Sequence, residues 1–503
     1  MDVEQLKKDV QSGKISVGRL IELVVALQRE LQVAKQRIEQ LEKQQGVPPS
    51  PKILQSFSVE AEERRQEARR KKRRKRKRRS QAGRTTSAEK IARAVRTEKV
   101  FPAGVLKKDC RLSHTRPVWR LENGQAVLVA YEIYRGPQNQ YGKIPGVFGR
   151  SEFGAEITLA IAYQVYIVGR SFDKVCLLMN FFQHLKLRKS QADALSNQLA
   201  RQWQEEFDLL CLLLANSLVV HADETGWSIH SVWAFLSEKV RLLFFGVHKD
   251  AETLRQILDP ATFAGIVISD DAAVYATFTQ SQKCWVHFLR KAIKLTLMEP
   301  SNAEYRQFTD RLLEIYREAC RVHRDRRLSA EGRKGKVAAL DDRILELCGP
   351  MWMAELPPGE GPEDDHRRLC NELMRVMLAE QLFTFVTAEP VEKPNGETLV
   401  VSGTNNEAER TLRSPAQARD TGRTNKTVAG ARRQTVIVSV LESRRQHLST
   451  VTLSSVIEEI RRWSETGRSC FARWVEKLGL IGHGLPDDGR LSLLDRVIPV
   501  PDG

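Results

Sequence analysis

Two pairs of acids stand at the ends of apolar runs in this chain, and a third pair lies in a short polar segment. Residues 217–227 read "SLVVHADETGW", so the run Leu218, Val219, Val220 ends at Asp223 and Glu224. Residues 264–275 read "AGIVISDDAAVY", and that run ends at Asp270 and Asp271. Glu407 and Glu409 lie in "GTNNEAERTLR" at 403–413. Carboxylates brought close together repel and raise one another's pKa unless a cation lies between them. An oxygen-only set of this kind suits Mg²⁺, which keeps waters for substrate phosphates. Two such ions, with Mn²⁺ as a substitute, support in-line phosphoryl displacement by water or a 3′-hydroxyl.

The elements must bring these acids together. "SLVVHADETGW", "SVWAFLSEK" and "RLLFFGVH" read as three antiparallel strands, "AETLRQIL" as a helix, and "AGIVISDDAAVY" as a further strand. That order opens a ribonuclease H-like fold, in which the first and fourth strands are neighbours. Asp223 and Asp270, 47 positions apart, would then meet. Strand alternation sends Asp223 and Glu224 to opposite faces and separates Asp270 from Asp271 in the same way. On the helix, Ala408 and Leu412 mark the buried side, and each glutamate is one position from Ala408. Geometry alone leaves the choice open, and Glu409 with Arg413 has the spacing of an exposed ion pair.

The 503 residues carry a formal net charge of +17, which points to a polyanionic partner. Eleven of those charges are consecutive: Arg69, Arg70, Lys71, Lys72, Arg73, Arg74, Lys75, Arg76, Lys77, Arg78 and Arg79. Such a run binds phosphate backbone by counterion release. Before it, Val17, Val24, Leu31 and Ile38 alternate with Leu20, Leu27, Ala34 and Leu41 in a heptad seam. Mostly β-branched residues at one core position and leucine at the other favour a parallel two-stranded coiled coil. The expected organisation is a coiled-coil helix at 1–45, a basic linker at 46–100 and a small β-rich module at 101–150, with a hairpin at Asn123-Gly124. A helix-turn-helix-like region follows at 151–210, its last helix offering Arg188 and Lys189 to DNA. The core occupies 211–298 and 391–445, split by a helical insertion at 299–390, and a tail runs from 446 to 503. The fold class is α/β.

The eight cysteines form no CxxC pair, which fits a reduced intracellular protein rather than a disulfide scaffold. Neither a secretory signal nor an apolar run of membrane length is apparent, so a cytoplasmic, nucleoid-associated protein is expected.

"VVHADETGW", "ISDDAAVY", "KCWVHFLRKA" and "GTNNEAERTLR", in this order, resemble the catalytic segments of bacterial DDE transposases of insertion sequence family sixty-six. "FGAEITLAIAYQVYIVGRSFDKVCLLMNFF" is similar to the helical region before the core there, so the likeness spans roughly residues 100 to 445. It implies a ribonuclease H-like core with a helical insertion before the last acid. It also implies Asp223 as first acid, Asp270 as second, five residues before Tyr275, and Glu409 as third. His287, Arg290, Asn405, Asn406 and Arg410 would lie near the site, in phosphate contact or in structural roles. Two departures stand out. Family members often carry Gly-Tyr after the second acid, where this chain has Asp271-Ala272. Many carry a cysteine-rich zinc module where this chain has only Cys110 and His114, so end recognition would rest on the hairpin module, the helices and the basic run. The implied function is a Mg²⁺-dependent DNA transposase, paired through its coiled coil, with accessory proteins of the same element as candidate partners. The rivals are a related nuclease without strand transfer and an inactive DNA-binding descendant.

Overall fold

The computed structural model of the chain describes residues 63, 66, 67, 85–352, 361–392, 398–448, 450–480 and 492–498. The heptad seam and the run Arg69 to Arg79 lie outside the described residues. The elements below all belong to one unit, Thr85–Gly503.

After the short helix α1 (Ser87–Ala92), three strands form a small sheet: β1 (Arg96–Val100), β2 (Arg111–Glu122) and β3 (Gln125–Arg135). Asn123 and Gly124 link β2 to β3 with φ of 49° and 78°, and Glu122 pairs with Gln125. Both turn residues therefore adopt the left-handed conformation that a two-residue hairpin loop requires. β1 joins β3 in parallel, so the module begins before residue 101. Its sequence, "RTEKV", is a mostly exposed edge strand whose charges conceal it from a search for apolar alternation.

Four helices follow: α2 (Ala155–Ala162, continued by a π-helical turn through Ile167), α3 (Phe172–Gln183), α4 (Lys189–Gln202) and α5 (Gln204–Ala215). Gly169 at φ 73° and His184 at φ 54° close the first two, and the Ser171 hydroxyl caps α3 by accepting from Lys174 N–H. The α2, α3 and α4 faces meet around Ile157, Ile161, Val175, Met179 and Leu195.

The central sheet contains β4 (Val219–Gly226), β5 (Ser231–Ser237), β6 (Arg241–Val247), β7 (Ile266–Ser269) and β8 (Ser281–Lys283), in the order β6-β5-β4-β7-β8. β4, β5 and β6 are antiparallel, whereas β7 and β8 run parallel to β4. A helix, α6 (Ala251–Ile257), connects β6 to β7. Every residue of β5 is buried, which explains its unbroken apolar run.

From β8 the chain enters α7 (Trp285–Met298), then α8 (Ala303–Arg324), α9 (Ala330–Trp352) and α10 (Pro362–Leu378). These pack around Phe288, Phe308, Leu312, Ile344, Leu369 and Leu373 as a second core. The chain then returns to the sheet in α11 (Asn406–Asp420) and α12 (Val428–His447), and ends in α13 (Leu453–Thr466), α14 (Cys470–Lys477) and a turn at Leu493–Val497.

α12 covers the free edge of β6. Thr435, Ser439 and Ser443, four residues apart, accept from the N–H groups of Phe245, Leu243 and Arg241 at 2.9, 3.0 and 2.9 Å. Hydroxyls thus replace the missing neighbour strand. Gly246 allows the close approach, because a Cβ there would meet the Ala431 Cβ at 2.9 Å. No helix among the described residues is long and apolar enough to cross a membrane.

Candidate active site

The register of β4 and β7 puts the first two acids side by side. His221 pairs with Ile268, so Asp223 and Asp270 each stand two residues beyond that pair, at the same level. Strand alternation then sorts the neighbours. Even-numbered Val220 and Ala222 enter the main core with Trp233, and Glu224 points the same way. Its side chain is 2 % exposed and accepts from the Tyr275 hydroxyl at 2.5 Å and from Lys249 Nζ at 2.7 Å. Asp223 lies on the other face with His221 and Thr225, beneath α11.

α11 is anchored to that face. Asn405 is fully buried; its amide donates to the Ala222 carbonyl at 2.8 Å, and its side-chain oxygen meets His221 Nδ1 at 3.2 Å. Ala408 and Leu412 are buried, as the sequence predicts. Glu409, whose N–H bonds the Asn405 carbonyl at 3.2 Å, lies 3.1 Å from Arg290 and 3.7 Å from His287 instead of pairing with Arg413. Glu407 leaves on the other side and pairs with Arg241. Asp271 likewise turns away, to Arg375 of the helical insertion.

One member of each of the other two pairs, Asp270 and Glu409, thus remains near Asp223, whose electrostatics register them. The Asp223 carboxyl is pushed up to about 7, first by burial and then by Glu224, with Asp270 and Glu409 adding to the effect; the Glu224 N–H, 2.9 Å away, works against it. The unfolded carboxyl titrates near 4. Between these values the folded chain holds a proton that the unfolded chain has lost, so this stability is complete below about 4 and disappears as pH rises through about 7. Thermal unfolding of the cation-free chain should therefore show a stability decline across that window that Asp223→Asn flattens. An equal decline in the variant would contradict the assignment.

Tyr275 offers a second test. Burial, then Glu224, keeps its phenol protonated well above the usual range, so it serves as a donor. Tyr275→Phe leaves a buried carboxylate with Lys249 alone and is expected to cost about 1–3 kcal/mol in denaturant unfolding.

Of the remaining sequence candidates, His287 and Arg290 touch Glu409, whereas Asn405 positions α11 from within the core. Asn406 is exposed at the start of α11, and Arg410 lines a separate cavity of about 790 Å³. Lys189 pairs with Asp173 at 2.9 Å; Arg188 is exposed at the N-cap of α4. Cys110 donates to the Leu106 carbonyl at 3.4 Å, and His114 meets the Ser113 hydroxyl at 3.1 Å. Lys249 and Cys284 carried no sequence signal for this site. Cys284 lies inside one of the quoted segments, but nothing in its spacing pointed to Glu409, 125 positions later.

A family comparison places this mixed α/β chain among the enzymes that process nucleic acid. Residues 150–433 match the model described as Transposase IS66 family, a span that includes all three clustered acids and covers more than half of the chain. The protein belongs to the IS66 family of transposases. No curated protein matches the chain.

Proposed function

We propose that this transposase acts through a ribonuclease H-like core, cutting transposon ends and joining their 3′-hydroxyls to target DNA. The observation that carries this reading is the level placement of Asp223 on β4 and Asp270 just past the end of its parallel neighbour β7, beneath the Glu409 turn of α11. The strand order, with a parallel fourth strand beside the first, supports the fold assignment.

The donor set fits Mg²⁺, since it consists of hard oxygens from three elements, and burial and the neighbouring acids push the Asp223 carboxyl up. When bound, the ions supply charge stabilisation for the attacking and leaving oxygens of an in-line displacement. The chain's own residues supply position. Asn405 fixes α11 against β4, and the Tyr275–Glu224–Lys249 set holds the far face of the same strand. Arg290, mostly exposed beside Glu409, is free to turn to a phosphate.

The 790 Å³ cavity extends this surface on the other side of α11. Arg170, Arg410, Arg423, Lys426 and Arg433 are among its lining residues, and the first four have no carboxylate partner among the described residues. DNA backbone is the polyanion the reading calls for. Replacing Arg410, Arg423 and Lys426 with glutamine should lower the slope of log affinity against log salt by about 2–3; an unchanged slope would remove this surface from the DNA path. The basic run at 69–79 would add further backbone contacts, and the heptad seam would pair protomers so that two ends are held together.

Pre-cleaved element ends incubated with supercoiled target, Mg²⁺ and the full chain test the reading. Joined product is the expected result. Cleavage of uncut ends without any joining would favour a nuclease instead.

A further inference from the structure

Beside the acid cluster lies a group of different chemistry. Cys284, His287 and Glu409 each offer one ligand atom, and the three atoms lie within 4.8 Å of one another. Cys284 and His287 are three residues apart across the start of α7, so thiol and imidazole emerge on one face, a turn apart. Glu409 comes from the first turn of α11.

All three donors stand on fixed supports. The Cys284 N–H bonds the Ser269 carbonyl at 2.8 Å, and the Trp285 N–H bonds the Gly403 carbonyl at 3.1 Å. These bonds tie the start of α7 to β7 on one side and to the approach of α11 on the other. The Cys284 sulfur accepts from the Asn405 N–H at 3.2 Å, and the amides of Val286 and His287 also face it. Burial pushes the Cys284 thiol up, and these three N–H groups work against that rise. His287 Nδ1 is buried and makes no hydrogen bond, which leaves the ring with an unused donor or ligand atom.

We propose that Cys284, His287 and Glu409 form a three-ligand site for Zn²⁺. Sulfur, nitrogen and carboxylate oxygen are the donors that Zn²⁺ accepts, and three protein ligands leave a fourth position for water. Mg²⁺ takes oxygen ligands and has no use for the thiol, so the two cations divide the surroundings of Glu409 by softness. Glu409 is the shared ligand, and a chain holding Zn²⁺ here would withdraw it from Asp223 and Asp270. Arg290, its present partner, is 57 % exposed and can move into solvent. Zinc binding needs neither DNA nor turnover, so it stands or falls apart from the strand-transfer reading.

Co²⁺ serves as the spectroscopic probe. The full chain, reduced and stripped of metal, should take up Co²⁺ with a thiolate charge-transfer band that Zn²⁺ then removes. Cys284→Ser should abolish the band, and Glu409→Gln and His287→Ala should each weaken binding by about tenfold or more. Because Glu409 is only partly buried on α11, its variant keeps the test valid if the buried Cys284→Ser fails to fold. The proposal is overturned by the absence of a thiolate band in the wild type. It is equally overturned by a band that survives in Cys284→Ser, as binding at the buried Cys348 and Cys370 would give, or by Co²⁺ affinity unchanged in Glu409→Gln.

Discussion

Asp223→Asn is expected to lower strand transfer by on the order of 10³-fold, because the proposed metal site would lose a ligand on which several kcal/mol of transition-state charge stabilisation would depend. The same substitution should leave the fold intact and raise its stability at neutral pH, since the buried carboxyl is already pushed up to about 7 by its surroundings. Loss of activity with gain of stability is the signature of an acid kept for chemistry. The neighbours provide the comparison. Glu407 is engaged with Arg241 and Asp271 with Arg375, so Glu407→Gln and Asp271→Asn should retain most of the activity. If they abolish joining as completely as Asp223→Asn does, alternation along the strand and around the helix has not selected the acids.

Arg444→Met is the second large effect, and it acts on stability. Arg444 is completely buried on α12 and meets Glu206 of α5, 1 % exposed, at 3.2 Å. Its guanidinium also lies over the Trp203 ring, 5.0 Å from the centroid. Burial pushes the Glu206 carboxyl up, and Arg444 opposes that rise. Removing the arginine alone leaves a buried carboxylate without a cation, which costs about 3–5 kcal/mol. Arg444→Met combined with Glu206→Leu removes both charges and is expected to recover most of that loss, since a buried pair gains little over well-packed apolar groups. Denaturant unfolding of the two variants checks this; a double variant as unstable as the single one would contradict it.

Much of the central sheet is legible in the sequence because β5, β6 and β7 are buried almost throughout and therefore read as apolar runs ending at polar turns. The Asn123-Gly124 hairpin and the buried Ala408–Leu412 side of α11 are legible for similar local reasons. Edge elements are not. β1 carries Arg96, Glu98 and Lys99, and β8 is only "SQK", so neither has the apolar content that announces a strand. Alternation told that one of Asp223 and Glu224 must face the site, but which one depends on the face that α11 covers. Glu407 and Glu409 were beyond choice on spacing alone; Arg241 and Arg290, from distant parts of the chain, decide where each side chain goes. The Cys284–His287–Glu409 group is illegible for the same reason, since its glutamate is placed by Asn405 holding α11 to β4.

If Asp223, Asp270 and Glu409 act as one hard-cation site, the chain binds Mn²⁺, and loss of the free ion's electron paramagnetic resonance signal measures that binding. The wild-type chain should bind Mn²⁺ with an affinity that rises as pH passes through about 7, where Asp223 loses its proton. Asp223→Asn, Asp270→Asn and Glu409→Gln should each weaken that binding, while Glu407→Gln leaves it unchanged. Equal Mn²⁺ uptake by the wild type and the three variants would show that these acids do not form one cation site.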